Sequence, residues 1–427
     1  MIPRKGWFGP ASSFLMHCGL FTLSWDRFAA IEAGSFNVKL PIMLFFFSLL
    51  LTVLDLWSAG TLPGRKQNLV PALWLTFAIF IVMGLLAVAP DVSMLQAVTV
   101  LLGAIVPFLA VYLNIRLFGE IDRALTFFIR GGYVAAAFGL YQLAAFYLNL
   151  PQFIEYRAMA GGFGRISSFN YESGYFSYFI VLVIAVVVAR QRLRNRPVGY
   201  LSFAFFAVVL ILANSRATLI MAPLLLLFLF FVQPKTQKRF RLWPFAAVAV
   251  LAATLFIAVF PDRVARTVQR AASIFDPHEA ASNSPRLEMI ARAWTLAQDH
   301  FLTGIGAGNF YTYLKESAPQ IAAGQSSNSL VVNDAWLQAL LDGGVFLLVA
   351  QVVVAILALA LYRKRNPPVV RALMAGWIAV FIVSSIGNSY FWDLKLWAVL
   401  GLVLGIVSLH QAGRLPVTTG DNSVERV

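Results

Sequence analysis

Val198–Val232 reads VGYLSFAFFAVVLILANSRATLIMAPLLLLFLFFV. It is apolar almost throughout, with one polar break at Asn214-Ser215-Arg216. A bilayer core takes about 17–25 apolar residues per helix. The stretch therefore reads as two membrane helices, 198–213 and 217–233, joined by a tight turn. Similar runs recur at 11–25, 39–57, 69–88, 94–115, 127–149, 171–189, 242–260, 334–361, 372–387 and 395–411. Together they predict an all-α polytopic membrane protein with about 12 transmembrane helices. A membrane barrel would instead show alternating segments of about ten residues. The composition agrees: of 427 residues, 60% are hydrophobic and 12% charged, against about 25% charged in soluble domains.

The net charge of +14 would suit nucleic acid, but its placement argues for topology. Arg65 and Lys66 share one short loop. Arg190, Arg192, Arg194 and Arg196 crowd a second. Lys235, Lys238, Arg239 and Arg241 fill a third, and Arg363, Lys364, Arg365 and Arg371 a fourth. Basic loops beside apolar runs mark the cytoplasmic side. Counting spans from a cytoplasmic N-terminus puts every one of these loops inside. The loop 150–170, the turn at Arg216, the stretch 261–333 and the residues near Asn388 and Asp393 then fall outside. Residues 1–413 read as one transmembrane domain containing 261–333 as a large outer loop. Residues 414–427 read as a polar, disordered cytoplasmic tail. No small-residue cleavage site follows the N-terminal run, so it reads as an uncleaved span. Cys18, the single cysteine, excludes an intramolecular disulfide and a cysteine-based metal cluster.

The outer loop is longer than a connection needs. Ser284 as N-cap and Pro285 at the first helical position open an amphipathic helix there. Leu287, Ile290, Ala291, Trp294 and Ala297 fall at helical spacing, and the helix is expected to end near Asp299-His300. Gly304, Gly306 and Gly308 follow. Their spacing is wrong for a dinucleotide fingerprint and no strand precedes them. They predict a tight turn that lets backbone approach a ligand or a neighbouring helix. Tyr311, Tyr313, Trp336, Phe391 and Trp392 suit an interfacial belt or stacking on sugar rings.

Arg216 interrupts an apolar run, and a charge near membrane depth is a functional candidate unless it snorkels to the interface. Arg286 lies in the first turn of the amphipathic helix, where free N–H groups and a guanidinium together suit an anion. Arg165 lies beside Gly164. Three arginines on a side where positive charge is sparse point to a phosphate or diphosphate ligand. Glu172 is placed to pair with one of them or to act as a general base. Asp334, at the mouth of the tenth span beside Asn333, suits a helix cap or a proton acceptor. His278 and His300 lack a third ligand, so neither a metal nor a cofactor is expected.

The order of these features resembles the O-antigen ligase and O-antigen/exopolysaccharide polymerase superfamily. It comprises Ser215-Arg216 between two spans, Arg286 in a large outer loop, the run from Asp299 through Gly304-Ile305-Gly306-Ala307-Gly308-Asn309-Phe310, and Asn333-Asp334-Ala335-Trp336-Leu337-Gln338 leading to Asp342-Gly343-Gly344. The resemblance covers about 160–350 well. It implies a metal-independent GT-C-type glycosyltransferase of the bacterial inner membrane, with its active site facing the periplasm. The donor it implies is a glycan on undecaprenyl diphosphate, the acceptor a glycan or glycolipid, and a further partner a chain-length co-polymerase. Arg216 and Arg286 match the family's diphosphate-holding arginines. The chain departs from the family at Asn333-Asp334, where His-Asn is usual. That histidine is the proposed activator of the acceptor hydroxyl, and Asp334 and Glu172 are the substitutes at hand. The run Arg165 to Ser173 leans towards the polymerases over the ligases. The rival from another class is a lipid-linked glycan transporter or flippase. It predicts broken helices, midplane charges and repeat-related halves, and the sequence shows no repeat.

Overall fold

The computed structural model describes residues 7–28, 31–33, 36–58, 68–154, 159–160, 163–196, 200–213, 215–232, 284–317, 332, 334–387 and 391–415. The predicted run at 242–260 lies outside them. Every other run is a helix. In order these are α1 Gly9–Phe21, α2 Leu40–Ser58, α3 Leu69–Leu85, α4 Pro90–Val100, α5 Val106–Phe118 and α6 Ile121–Leu148. Then come α7 Ser173–Leu193, α8 Tyr200–Leu212 and α9 Arg216–Phe231. The polar stretch contributes α10 Ser284–Asp299 and α11 Phe310–Ser317. The chain closes with α12 Ala335–Leu359, α13 Pro368–Gly387 and α14 Leu394–Gln411. A π-helical turn, Leu101–Ile105, joins α4 and α5 into one 29-residue span. Among the described residues seven spans are long and apolar enough to cross a membrane, and α3, α8 and α9 are shorter apolar helices. Two small antiparallel hairpins depart from the all-helical expectation. Ile31–Ala33 pairs with Phe36–Val38, and Met159–Ala160 with Phe163–Gly164.

The long apolar helices sort themselves by burial. α7 is hydrophobic all round, and α6, α8, α9 and α13 pack against it. That is the pattern of a helix at the centre of a bundle. α12 instead leaves Phe346, Val349 and Ile356 exposed along one flank, which suits contact with lipid. Small polar groups pin α1, α2 and α5 together inside the bundle. Asn114 donates through Nδ2 to Thr52 Oγ1 at 3.0 Å and Ser48 Oγ at 3.2 Å, and Ser12 Oγ donates to the Ser48 carbonyl at 2.8 Å. Such bonds replace the hydrophobic drive that lipid removes.

Polar contacts divide the bundle into two ends. At the basic end, Arg194 at the close of α7 pairs with Asp122 at the start of α6, at 2.6 and 2.7 Å. Arg192 lies within electrostatic reach of Arg371 near the start of α13, and Tyr362 donates to the Phe228 carbonyl at 2.6 Å, joining the ends of α12 and α9. At the opposite end, Asp26 after α1 binds Lys39 before α2 at 2.8 Å and Lys395 at the start of α14 at 2.9 Å. Burial opposes charge on Asp26, but the two ammonium groups outweigh it and hold the carboxyl below the usual range. Arg27 N–H donates to the Phe169 carbonyl at 3.0 Å, and this ties the end of α1 to the loop before α7.

Candidate active site

The polar stretch forms its own small core against the start of α12. Met289, Ala293 and Ala297 of α10 pack with Phe310 and Leu314 of α11 and with Leu337, Leu340 and Leu341 of α12. This rotates the buried face of α10 away from the expected stripe. Ala291 is exposed and Trp294 is 54% exposed. Ala293, absent from the predicted stripe, is fully buried because it meets α12.

α12 is broken. Gly343 (φ −155°, ψ 23°) and Gly344 (φ 62°, ψ −162°) leave helical geometry. A break frees backbone groups that must find partners inside the structure. The glycine turn supplies them. Ile305 N–H donates to the Leu341 carbonyl at 2.7 Å, and Val345 N–H donates to the Phe301 carbonyl at 2.9 Å. Gly304 has φ +68°, and a Cβ there would collide with the Leu341 carbonyl. A Cβ on Gly344 would strike the Leu302 carbonyl. Beyond the break, Ser93 in α4 donates to the Ala307 carbonyl at 3.0 Å, and Asn309 Nδ2 donates to Ser93 Oγ at 2.9 Å. The turn is thus a backbone-to-backbone wedge between α4 and α12, as the tight-turn reading expected.

Asp334 caps α12. Its Oδ1 accepts from Trp336 N–H at 2.9 Å and Leu337 N–H at 2.8 Å. One turn on, Gln338 accepts the Val332 N–H at 3.1 Å and donates to Asp342 at 2.6 Å. Asp334, Gln338 and Asp342 form a polar stripe at four-residue spacing on an otherwise apolar helix. That spacing was the available signal for Gln338 and Asp342, which the sequence reading left unassigned. The stripe fixes the chain on both sides of Asn333, which itself lies outside the described residues.

Glu172 is the exposed N-cap residue of α7. Its carboxylate makes no hydrogen bond or ion pair among the described residues, and neither it nor Ser215 caps its helix through a side chain. The neighbouring Tyr171 ring is within reach of two cations, the Arg27 guanidinium at 5.9 Å and the Lys39 ammonium at 5.6 Å. The starts of α7 and α9 are adjacent: a Cβ placed on Gly174 would lie 3.7 Å from Ser215 Oγ. Two helix N-termini, with their positive dipole ends, therefore lie side by side. Arg216 is the first residue of α9. Arg286 lies in the first turn of α10, which packs on α12. Arg165 opens the segment leading from the second hairpin to Glu172, and it is half-buried.

Trp336 meets Phe381 and Phe391 edge-on, at 6.0 and 6.3 Å between centroids. Phe391 is buried and Trp336 partly so, and these rings pack at the end opposite the arginine-rich loops. His300 meets Tyr313 edge-on at 5.6 Å, and His278 lies outside the described residues. Among the described residues, no three His, Cys, Asp or Glu side chains group as a metal site would.

Fold and site together define a multi-pass helical membrane protein with a polar, partly helical cap at one end of its bundle. Residues 201–352 match the family model described as O-Antigen ligase, Wzy_C. Arg216, Arg286, Asn333 and Asp334 fall inside that range, whereas Arg165 and Glu172 precede it. The chain is also 26% identical over 239 residues to the teichuronic acid biosynthesis protein TuaE of Bacillus subtilis (strain 168), across 52% of this chain. It spans about half, 48%, of that relative's length. The resemblance to the O-antigen ligase and polymerase superfamily is therefore shown.

Proposed function

We propose that this chain is a glycosyltransferase of GT-C type in a bacterial inner membrane, moving a glycan from undecaprenyl diphosphate to an acceptor sugar hydroxyl on the periplasmic side. The observation that carries the reading is spatial. The start of α9, at Arg216, lies beside the start of α7, at Glu172, and Arg216 and Asp334 both fall within residues 201–352, which resemble the ligase family. The match to a teichuronic acid biosynthesis protein supports polysaccharide chemistry.

The reaction is one displacement. The acceptor oxygen forms a bond to the anomeric carbon of the donor's first sugar, and the bond from that carbon to the diphosphate oxygen breaks with its electron pair. Negative charge then grows on the leaving diphosphate. The positive dipole ends of α7 and α9 suit it, together with the Arg216 and Arg286 guanidinium groups. The acceptor proton goes to a carboxylate. Glu172 suits this better than Asp334, whose Oδ1 is occupied by the α12 cap. The acceptor separates two readings: a second lipid-linked unit makes a polymerase, slightly favoured by the run Arg165 to Ser173, and a lipid A core makes a ligase. A chain-length co-polymerase is the partner a polymerase would take. The broken α12 is one feature a transporter would share, but the Ile305 and Val345 backbone bonds fill this break.

Arg216→Ala and Arg286→Ala test the reading. Each should lower transfer roughly a hundredfold or more while the protein still accumulates in the membrane. Lysine should rescue only in part, since it lacks the bidentate fork. The assay is glycan product on a gel from a deletion strain complemented at equal protein level. Full activity in either alanine variant removes that arginine from the site.

A further inference from the structure

The basic end carries a cavity of about 710 Å³ that the proposed transfer reaction does not use. It opens between the start of α3, the end of α12 and the end of α14. Arg363, Arg365, His410 and Asn68 supply its polar wall, and Leu404 and Val407 an apolar one. No carboxylate lines it among the described residues. Its loop is held in shape locally: Asn366 Nδ2 donates to the Leu361 carbonyl at 2.6 Å, and Asn366 N–H donates to the Arg363 carbonyl at 3.0 Å. The two arginines that flank Lys364 therefore both line the cavity, while Lys364 does not.

From this arrangement we propose that the cavity is a binding site for a phosphate-bearing anion at the level of the lipid headgroups. Two guanidinium forks match phosphate oxygens in pairs. The volume falls in the range of small-ligand pockets, about 300–1,000 Å³, and far exceeds one phosphate group. The apolar wall suits the glycerol and first methylenes of an acyl chain. Basic pockets between membrane helices on the cytoplasmic side are where anionic headgroups lodge. The site is separate from the residues proposed for transfer, which lie at the other end of the bundle.

The test uses the full chain in detergent. It is incubated with mixed micelles of phosphatidylglycerol or of phosphatidylethanolamine, and retained lipid is counted by native mass spectrometry. A parallel arm follows the melting temperature in inorganic phosphate. Preferential retention of phosphatidylglycerol assigns the site to a lipid. A phosphate-dependent rise in melting without lipid retention assigns it to a soluble phosphate. In either case Arg363→Gln with Arg365→Gln should weaken binding on the order of tenfold, and Lys364→Gln should leave it nearly unchanged. The single arginine variants keep the comparison open if the double variant misfolds. Binding of neither probe overturns the proposal. So does an equal loss in Lys364→Gln, which would mean diffuse loop charge in place of a site.

Discussion

Asp334 Oδ1 accepts two backbone N–H groups, so its first task is to start α12. Asparagine caps a helix about as well as aspartate, whereas alanine costs on the order of 1 kcal/mol. Asp334→Asn should therefore keep the melting temperature, and Asp334→Ala should lower it. Among the described residues Glu172 has no comparable duty, and Tyr171 beside it lies near Arg27 and Lys39. Glu172→Gln should accordingly lose most glycan transfer at normal protein level, while Asp334→Asn keeps much of it. The reverse outcome in the same product assay would return the base to Asp334. If both variants are active, the acceptor proton leaves late, to water or to the departing phosphate. The capping role of Asp334 was legible in sequence, because a cap is local. The surroundings of Tyr171 were not, because Arg27 and Lys39 reach it across the fold.

At the scale of elements, the break in α12 explains why two glycine clusters occur together. An unbroken α12 of 25 residues would run about 37 Å, longer than the ~30 Å hydrocarbon core. The break lets its first two turns pack with α10 and α11 while the helix continues to Leu359. Gly344, at φ 62° and ψ −162°, occupies backbone space that is essentially glycine's alone. Strain there costs about 1–3 kcal/mol, and the blocked approach of the Leu302 carbonyl adds to it. Gly344→Ala should lower the melting temperature in detergent and reduce transfer together. Gly103→Ala is the control, since a Cβ there meets nothing within 4 Å. Equal melting of the two variants would show that the break tolerates a side chain. The turn at Gly304–Gly308 could be read from its glycines. Its partner could not, because the bonds from Ile305 and Val345 link strings about 40 residues apart with no periodicity in common. The same limit misplaced the stripe of α10: periodicity finds an apolar face but not which part of it a neighbour covers.

For the whole molecule, the two basic loops among the described residues gather at one end of the bundle. The loops holding Arg190–Arg196 and Arg363–Arg371 gather at one end through Asp122, Arg192 and Tyr362. Asp26, Glu172, Ser215 and Asp334 gather at the other. Side-chain contacts and the positive-inside bias are independent, since one is set by packing and the other by insertion. Helix positions were legible because a bilayer demands long apolar runs. The hairpins were not, because strands of two or three residues carry no usable alternation. The described residues flanking 242–260 are Val232, which closes α9 near Phe228 and Tyr362, and Ser284, which opens α10, and α10 packs against α12. The apolar run in the sequence leads us to expect one crossing there. Dual reporters, alkaline phosphatase and green fluorescent protein, test this directly. Fusions after Arg194 and after Lys238 should fluoresce, and a fusion near Gly324 should show phosphatase activity. Lys238 and Gly324 lie outside the described residues, so the outcome rests on the sorting of the described ends. Fluorescence at Gly324 would place Arg286 and Asp334 in the cytoplasm. It would end the proposed periplasmic transfer even with every contact reported above left in place.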